Sequence, residues 1–262
     1  MNVNLNRAIL LGAIQRVALM AFLVGSFLVV NMGASTAAES SPASMTKAEF
    51  ESRVRDYLLA NPEIILESLQ ALEARRMAEE QGEAAQMIAS NADALLRNPD
   101  SPVSGNLAGD VTMVEFFDYN CPYCRSVAQT LDRVMESDGS IRMVFKEFPI
   151  LGSNSIFAAK AALAANAQGR YAEFHLRLMS LKGHADEASV LAAASEMGLD
   201  LAKLKSDMND PRVDAEIRRN ETLARSLRIN GTPGFVIGKE IIRGAADQDT
   251  IRTLVQRARD GR

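Results

Sequence analysis

Cys121-Pro122-Tyr123-Cys124 contains the only two cysteines in a chain of 262 residues. Two thiols with two residues between them can close a disulfide and pass it on, provided one is held as a thiolate. A β-branched and aromatic run, Val111-Thr112-Met113-Val114-Glu115-Phe116-Phe117, precedes them, followed by the turn residues Asp118-Tyr119-Asn120. That order predicts a strand delivering the pair to the first turn of a helix, where Pro122 suits the first helical position. Unpaired N–H groups and the positive end of the helix dipole favour a thiolate there, so Cys121 is the expected nucleophile. Cys124, one turn further on, can attack a mixed disulfide at Cys121 and is the expected resolving thiol.

Other uses of the pair fit less well. A structural zinc site wants four ligands, and beyond the cysteines the chain offers only His175 and His184. A purely structural bridge across so short a loop would restrict the unfolded chain little. No metal is expected, and no cofactor other than the redox-active Cys121–Cys124 disulfide itself.

The length and a 47% hydrophobic content allow one large domain, or a domain with an extension. A net charge of −4 gives no basic footprint, so no nucleic-acid partner is expected. Residues 1–38 read as a signal peptide. Arg7 and Arg16 precede an apolar core at 17–30, and Ala34-Ser35-Thr36-Ala37-Ala38 sets cleavage after Ala37 or Ala38. An uncleaved anchor is the alternative, because residues 8–14 are also apolar. Export would carry the dithiol to a compartment where disulfides persist.

Residues 39–45 read as a Ser/Ala/Pro linker. Thr46 with Glu49 makes a capping box for a first helix bearing Phe50, Val54, Tyr57 and Leu58 and ending near Ala60. Asn61-Pro62-Glu63 opens a second helix, with Ile65, Leu69 and Leu72 as a seam that Arg76 and Glu79 interrupt. Few elements could cover that apolar face, so 46–98 is expected to be a helical oligomerisation segment giving a trimer or dimer. The alternative is a helix packed on its own catalytic domain. Asn98-Pro99-Asp100-Ser101-Pro102 breaks the helix and sets the expected start of a domain over 99–262. Within it, Ile141-Arg142-Met143-Val144-Phe145-Lys146 reads as a strand parallel to the first; Lys146 is expected to be solvated, and a place beside Glu115 as its charge partner is the alternative. Residues 153–227 read as an alanine-rich block of helices in which His175 is a core or capping residue. Asn230-Gly231-Thr232-Pro233-Gly234 then leads into a hairpin and a closing amphipathic helix.

The stretch Glu115-Phe116-Phe117-Asp118-Tyr119-Asn120-Cys121-Pro122-Tyr123-Cys124 resembles the active-site strand and helix start of DsbA-like proteins in the thioredoxin superfamily. With its N-terminal extension, the whole chain is most similar to the ScsC-type subgroup, the suppressor-of-copper-sensitivity proteins. The resemblance implies an α/β thioredoxin fold with a helical insertion at about 153–227, preceded by an N-terminal helical extension. It also implies that Glu115 lies beneath the dithiol and handles the proton of the resolving cysteine, a role suited to a buried carboxyl with a raised pKa. It implies further that Pro233 is cis and faces the dithiol, so that Thr232 and Pro233, with Pro122 and Tyr123, contact the substrate peptide. Tyr123 departs from the histidine of strongly oxidising DsbA proteins and cannot give the same charge stabilisation, which points to a moderate oxidant.

The function expected is that of a periplasmic thiol:disulfide oxidoreductase acting on exported cysteine-containing proteins. It would serve as isomerase or reductase in an oligomer, with a membrane redox partner. A monomeric DsbA-like dithiol oxidase is the nearest alternative. A Cu(I)-binding or chaperone-like protein is another, since soft thiolates suit Cu(I), although no Met-rich or His-rich tract supports it.

Overall fold

The computed structural model describes residues 45–261, so the expected signal peptide and all of the expected linker except Met45 lie outside the described residues. No helix among the described residues is long and apolar enough to cross a membrane. The chain divides into two compact units, one ending at Ala60 and the other starting at Asn61.

In the first unit the described residues form one helix, α1 (Lys47–Ala60). The capping box starts it: the Glu49 N–H donates to the Thr46 hydroxyl at 3.3 Å, and the Thr46 N–H donates to the Glu49 carboxylate at 3.0 Å. Nothing on α1 is buried, and Phe50 is 57% exposed.

The second unit opens with α2 (Glu63–Ser90), followed by a short π-helical turn at Asp93–Arg97. Five strands come next: β1 (Val103–Gly105), β2 (Val111–Phe117), β3 (Ile141–Glu147), β4 (Gly234–Ile237) and β5 (Glu240–Arg243). They form one sheet in the order β1-β3-β2-β4-β5. β2 and β3 are parallel and joined by α3 (Pro122–Ser137), while every other pairing is antiparallel. Between β3 and β4 lie α4 (Ser153–Asn166), α5 (Tyr171–Met179), α6 (Glu187–Glu196), α7 (Leu201–Asp207) and α8 (Pro211–Ser226). These five helices are the insertion expected at 153–227. The buried alanines of α4, among them Ala158, Ala161, Ala162 and Ala165, let it pack closely against the other four. α9 (Gln248–Asp260) closes the chain.

Side chains alternate along the strands, so the sheet buries two different faces. Met113, Phe117, Phe145 and Phe235 meet α3, α9 and the insertion in the larger core. Val114, Phe116, Val144 and Val236 meet Leu223 and Leu227 near the end of α8, and also Ile88 and Leu95. Ile88 belongs to α2 and Leu95 to the π-helical turn, so the break at Asn98-Pro99 ends a helix without ending a packing unit. Glu83 of α2 adds an ion pair to Arg228 at 2.7 Å. The end of the expected oligomerisation segment is thus part of the catalytic core, whereas Leu66, Leu69 and Leu72 of α2 remain exposed.

Lys146 does not stand beside Glu115. In the β2–β3 register Glu115 sits opposite Phe145, and Lys146 sits opposite Phe116. Alternation then sends Lys146 to the other face of the sheet. There its Nζ donates to the Ala94 carbonyl and the Ser101 hydroxyl, each at 2.6 Å, and Ser101 donates onward to Glu216 at 2.7 Å. Burial pushes the Lys146 ammonium down to about 8, with the charge of Glu216 opposing the shift. The lysine thus ties the segment after α2 to the sheet.

Candidate active site

The turn after β2 is held from several directions. Asp118 accepts the Asn120 N–H at 2.8 Å and the Leu151 N–H at 2.9 Å through its carboxylate, and the Cys121 N–H at 3.0 Å through its carbonyl. Asn120 reaches the insertion, accepting from the Ala185 N–H at 2.8 Å and donating to the Ser155 hydroxyl at 3.1 Å. Arg125 donates back to the Tyr119 carbonyl at 2.6 Å. These bonds set Cys121 at the cap of α3 with extended backbone, and Pro122 takes the first helical position as the sequence predicts.

The sheet brings the second loop to the same place. The Cys121 thiol donates to the Thr232 carbonyl at 3.3 Å. The Thr232–Pro233 peptide is cis, and the Pro233 carbonyl accepts the Gly244 N–H at 2.8 Å. Gly234 lets the strand pass close to Ile229, because a Cβ there would lie 2.6 Å from Ile229 Cγ2 and force that side chain to shift. Both cysteines are free thiols and both are buried. The two residues between them are not: Pro122 is exposed, and Tyr123 is 67% exposed.

Glu115 is 1% exposed, and neither carboxylate oxygen has a hydrogen-bond partner among the described residues. Burial alone pushes its pKa up to about 8. Burial, and after it the charge of Glu115, drives the Cys124 thiol far above its usual range. The structure therefore gathers Cys121, Cys124, Glu115, Thr232 and Pro233 into one locality, with Pro122 and Tyr123 on its rim.

Sequence reasoning missed a second polar group beneath the turn. Glu147 ends β3 fully buried, and its Oε1 accepts from the Tyr119 hydroxyl at 2.9 Å and the Tyr171 hydroxyl at 2.7 Å. Tyr119 also lies 3.1 Å from His175 Nδ1, and burial pushes that imidazole down to about 3. Burial raises Glu147 well above the carboxylate range, against the opposing effect of the two tyrosine hydroxyls. A signal existed: Glu147, between Lys146 and Phe148 at the end of an apolar strand, breaks the pattern as Glu115 does.

The DSBA-like thioredoxin domain matches residues 112–256, more than half of the chain, and the chain belongs to that family. Residues 47–79 match the N-terminal domain of the copper resistance protein ScsC. The fold is that of the DsbA-like thiol:disulfide oxidoreductases, carrying an ScsC-type N-terminal segment. Among solved structures, a thioredoxin-like oxidoreductase from Silicibacter pomeroyi DSS-3 is 47% identical with a TM-score of 0.63, over 64% of this chain and 97% of that one. ScsC of Proteus mirabilis in a transitional conformation is 31% identical with a TM-score of 0.62, over 85% of this chain and 100% of that one. A curated relative, the Na(+)/H(+) antiporter NhaA 1 of Salinispora arenicola, is 28% identical over 158 residues, 60% of this chain. The chain spans 24% of that protein's length, about a quarter.

Proposed function

We propose that the chain is a periplasmic protein thiol:disulfide oxidoreductase acting on cysteines of exported proteins, with disulfide isomerisation or reduction as its main role in an oligomer. The observation that carries the reading is the Cys121 thiol at the start of α3, 3.3 Å from the Thr232 carbonyl, with unpaired Glu115 buried behind it.

In the reductive direction the Cys121 thiolate attacks one sulfur of a substrate disulfide. A Cys121–substrate bond forms, the substrate S–S bond breaks, and the other substrate sulfur leaves as a thiolate that takes up a proton. In its ionised form, which a pKa of about 8 leaves within reach near neutral pH, Glu115 takes the proton of Cys124, and Cys124 attacks the Cys121 sulfur, releasing the second substrate thiolate and leaving the Cys121–Cys124 disulfide. The substrate gains two electrons and the dithiol loses two. In isomerisation a second substrate thiol attacks the mixed disulfide before Cys124 does, so Cys121 returns as thiolate and no net oxidation occurs. No cofactor beyond the dithiol is needed. A membrane redox partner would reset it.

Glu115 suits the proton step because burial raises its pKa to about 8, which makes its carboxylate a stronger base toward the Cys124 thiol than an exposed acid would be. Thr232 and Pro233 would hold the substrate chain beside Cys121, with Pro122 and Tyr123 touching it from the exposed rim. The exposed Phe50 and Val54 of α1 and Leu66, Leu69 and Leu72 of α2 support association through 46–82 into a trimer or dimer. Several dithiols in one assembly can engage a misfolded chain at more than one point. The test compares scrambled-ribonuclease recovery, insulin reduction and mass in solution for the chain with and without residues 46–82. The proposal expects an oligomer that unscrambles ribonuclease and a truncated monomer that still reduces insulin. A monomer in both cases would remove the isomerase reading.

A further inference from the structure

The buried Glu115 borders a cavity that the exchange reaction does not use. This pocket of about 300 Å3 is lined by α3, α5, β1 and β3 together with Glu115 of β2. Its walls are apolar, with Leu131, Met143 and Phe145 among them. The charged groups in the lining are acidic, beside the Ser104 hydroxyl and the His175 ring. Glu115 lies at the inner end, Asp132 and Glu136 of α3 line the partly exposed outer side, and no lysine or arginine is among the described residues lining it. His175 also borders it, held neutral by burial. Glu115 is 1% exposed, and both of its oxygens lack a partner among the described residues. A carboxyl left unpaired in an apolar setting costs free energy that a donor entering the pocket would recover.

The geometry points to a ligand site here for a small primary amine with an apolar body, its ammonium directed at Glu115 past Asp132 and Glu136. Size sets the body. The volume is roughly twice the ~150 Å3 apolar cavity that admits benzene, which corresponds to a bicyclic aromatic group. Charge sets the head, because a lining with three carboxyls and no basic side chain favours a cation over a neutral or anionic isostere. Burial now holds Glu115 at about 8, and an ammonium beside it would favour its ionised form. The site does not depend on the exchange activity, since nothing in its binding requires a cysteine.

Calorimetry on the full chain with three indole probes tests this: tryptamine, the neutral tryptophol and the anionic indole-3-acetate. Tryptamine is expected to bind one per chain with a Kd at or below about 1 mM, and tryptophol at least about tenfold more weakly. No binding is expected for indole-3-acetate. Glu115→Gln should weaken tryptamine by at least about tenfold, and Ala172→Trp, which fills the pocket, should abolish binding. A readout on the unaltered protein guards against a variant that fails to fold. Methionine-methyl NMR should show tryptamine moving the Met135 and Met143 signals. No tryptamine binding, equal affinity for the three probes, or shifts confined to methionines elsewhere would each overturn the site.

Discussion

The dithiol region and the N-terminal helices are equally regular in sequence and opposite in their relation to solvent. Around Cys121 the turn is tied to β3 and the loop after it, α4, the loop before α6 and the Thr232 loop, and the large side chains beneath it are buried. Along α1 and the first half of α2 the apolar side chains lie in water, Leu69 at 53% exposure and Leu66 at 58%. Among the described residues one region buries its large apolar side chains and the other leaves them exposed. Under the proposed function the difference separates chemistry, which needs only one catalytic unit, from role, which would depend on what covers the helices.

That separation can be broken most strongly at the dithiol. Cys121→Ser should lower insulin reduction by at least about 10³-fold while leaving the mass in solution unchanged, which sedimentation would verify. A fall in both would show that the two regions are not independent.

Glu115→Gln should slow turnover by about 10²-fold and alter stability in a pH-dependent way. The folded chain keeps the Glu115 proton up to about 8, whereas the unfolded chain loses it near 4.5. The folded state therefore binds more protons in that window, and wild-type stability falls as pH rises through it. The variant lacks this slope, so its stability relative to wild type should grow by a few kcal/mol from the acid to the basic end, read from urea midpoints.

Removing residues 46–82 should cost at least about tenfold in ribonuclease recovery and leave insulin reduction within about twofold. The cut must stop before Glu83, because Ile88 and Leu95 belong to the core of the catalytic unit. The smallest effect is expected at Lys146. Lys146→Met leaves the Ala94 carbonyl without its donor and should lower stability by about 1–3 kcal/mol with turnover unchanged. A matching loss of turnover would make the lysine part of the site after all.

What could be read from the sequence followed the range of the interactions involved. Strand β2, the helix start at Pro122 and the helices after Ser153 come from local periodicity and capping, which one stretch of chain displays. Glu115 stood out as an acid in an apolar strand. Its burial without a partner did not, because the candidate partner Lys146 lies on the opposite face of the sheet, and only the β2–β3 register reveals that. The Glu147 group escaped notice because Tyr119, Tyr171 and His175 come from separate elements that meet only after folding. The boundary at Asn98-Pro99 misled for a similar reason: proline marks where a helix must stop, not where packing stops.

The central claim is that Cys121 meets the substrate and Cys124 resolves. Incubating the Cys124→Ala and Cys121→Ala variants separately with a disulfide-bonded peptide, quenching in acid and mapping adducts by mass spectrometry tests it directly. A mixed disulfide accumulating on Cys121 in the first variant, with little or none on Cys124 in the second, is the expected result. Equal trapping on Cys124 would contradict the assignment.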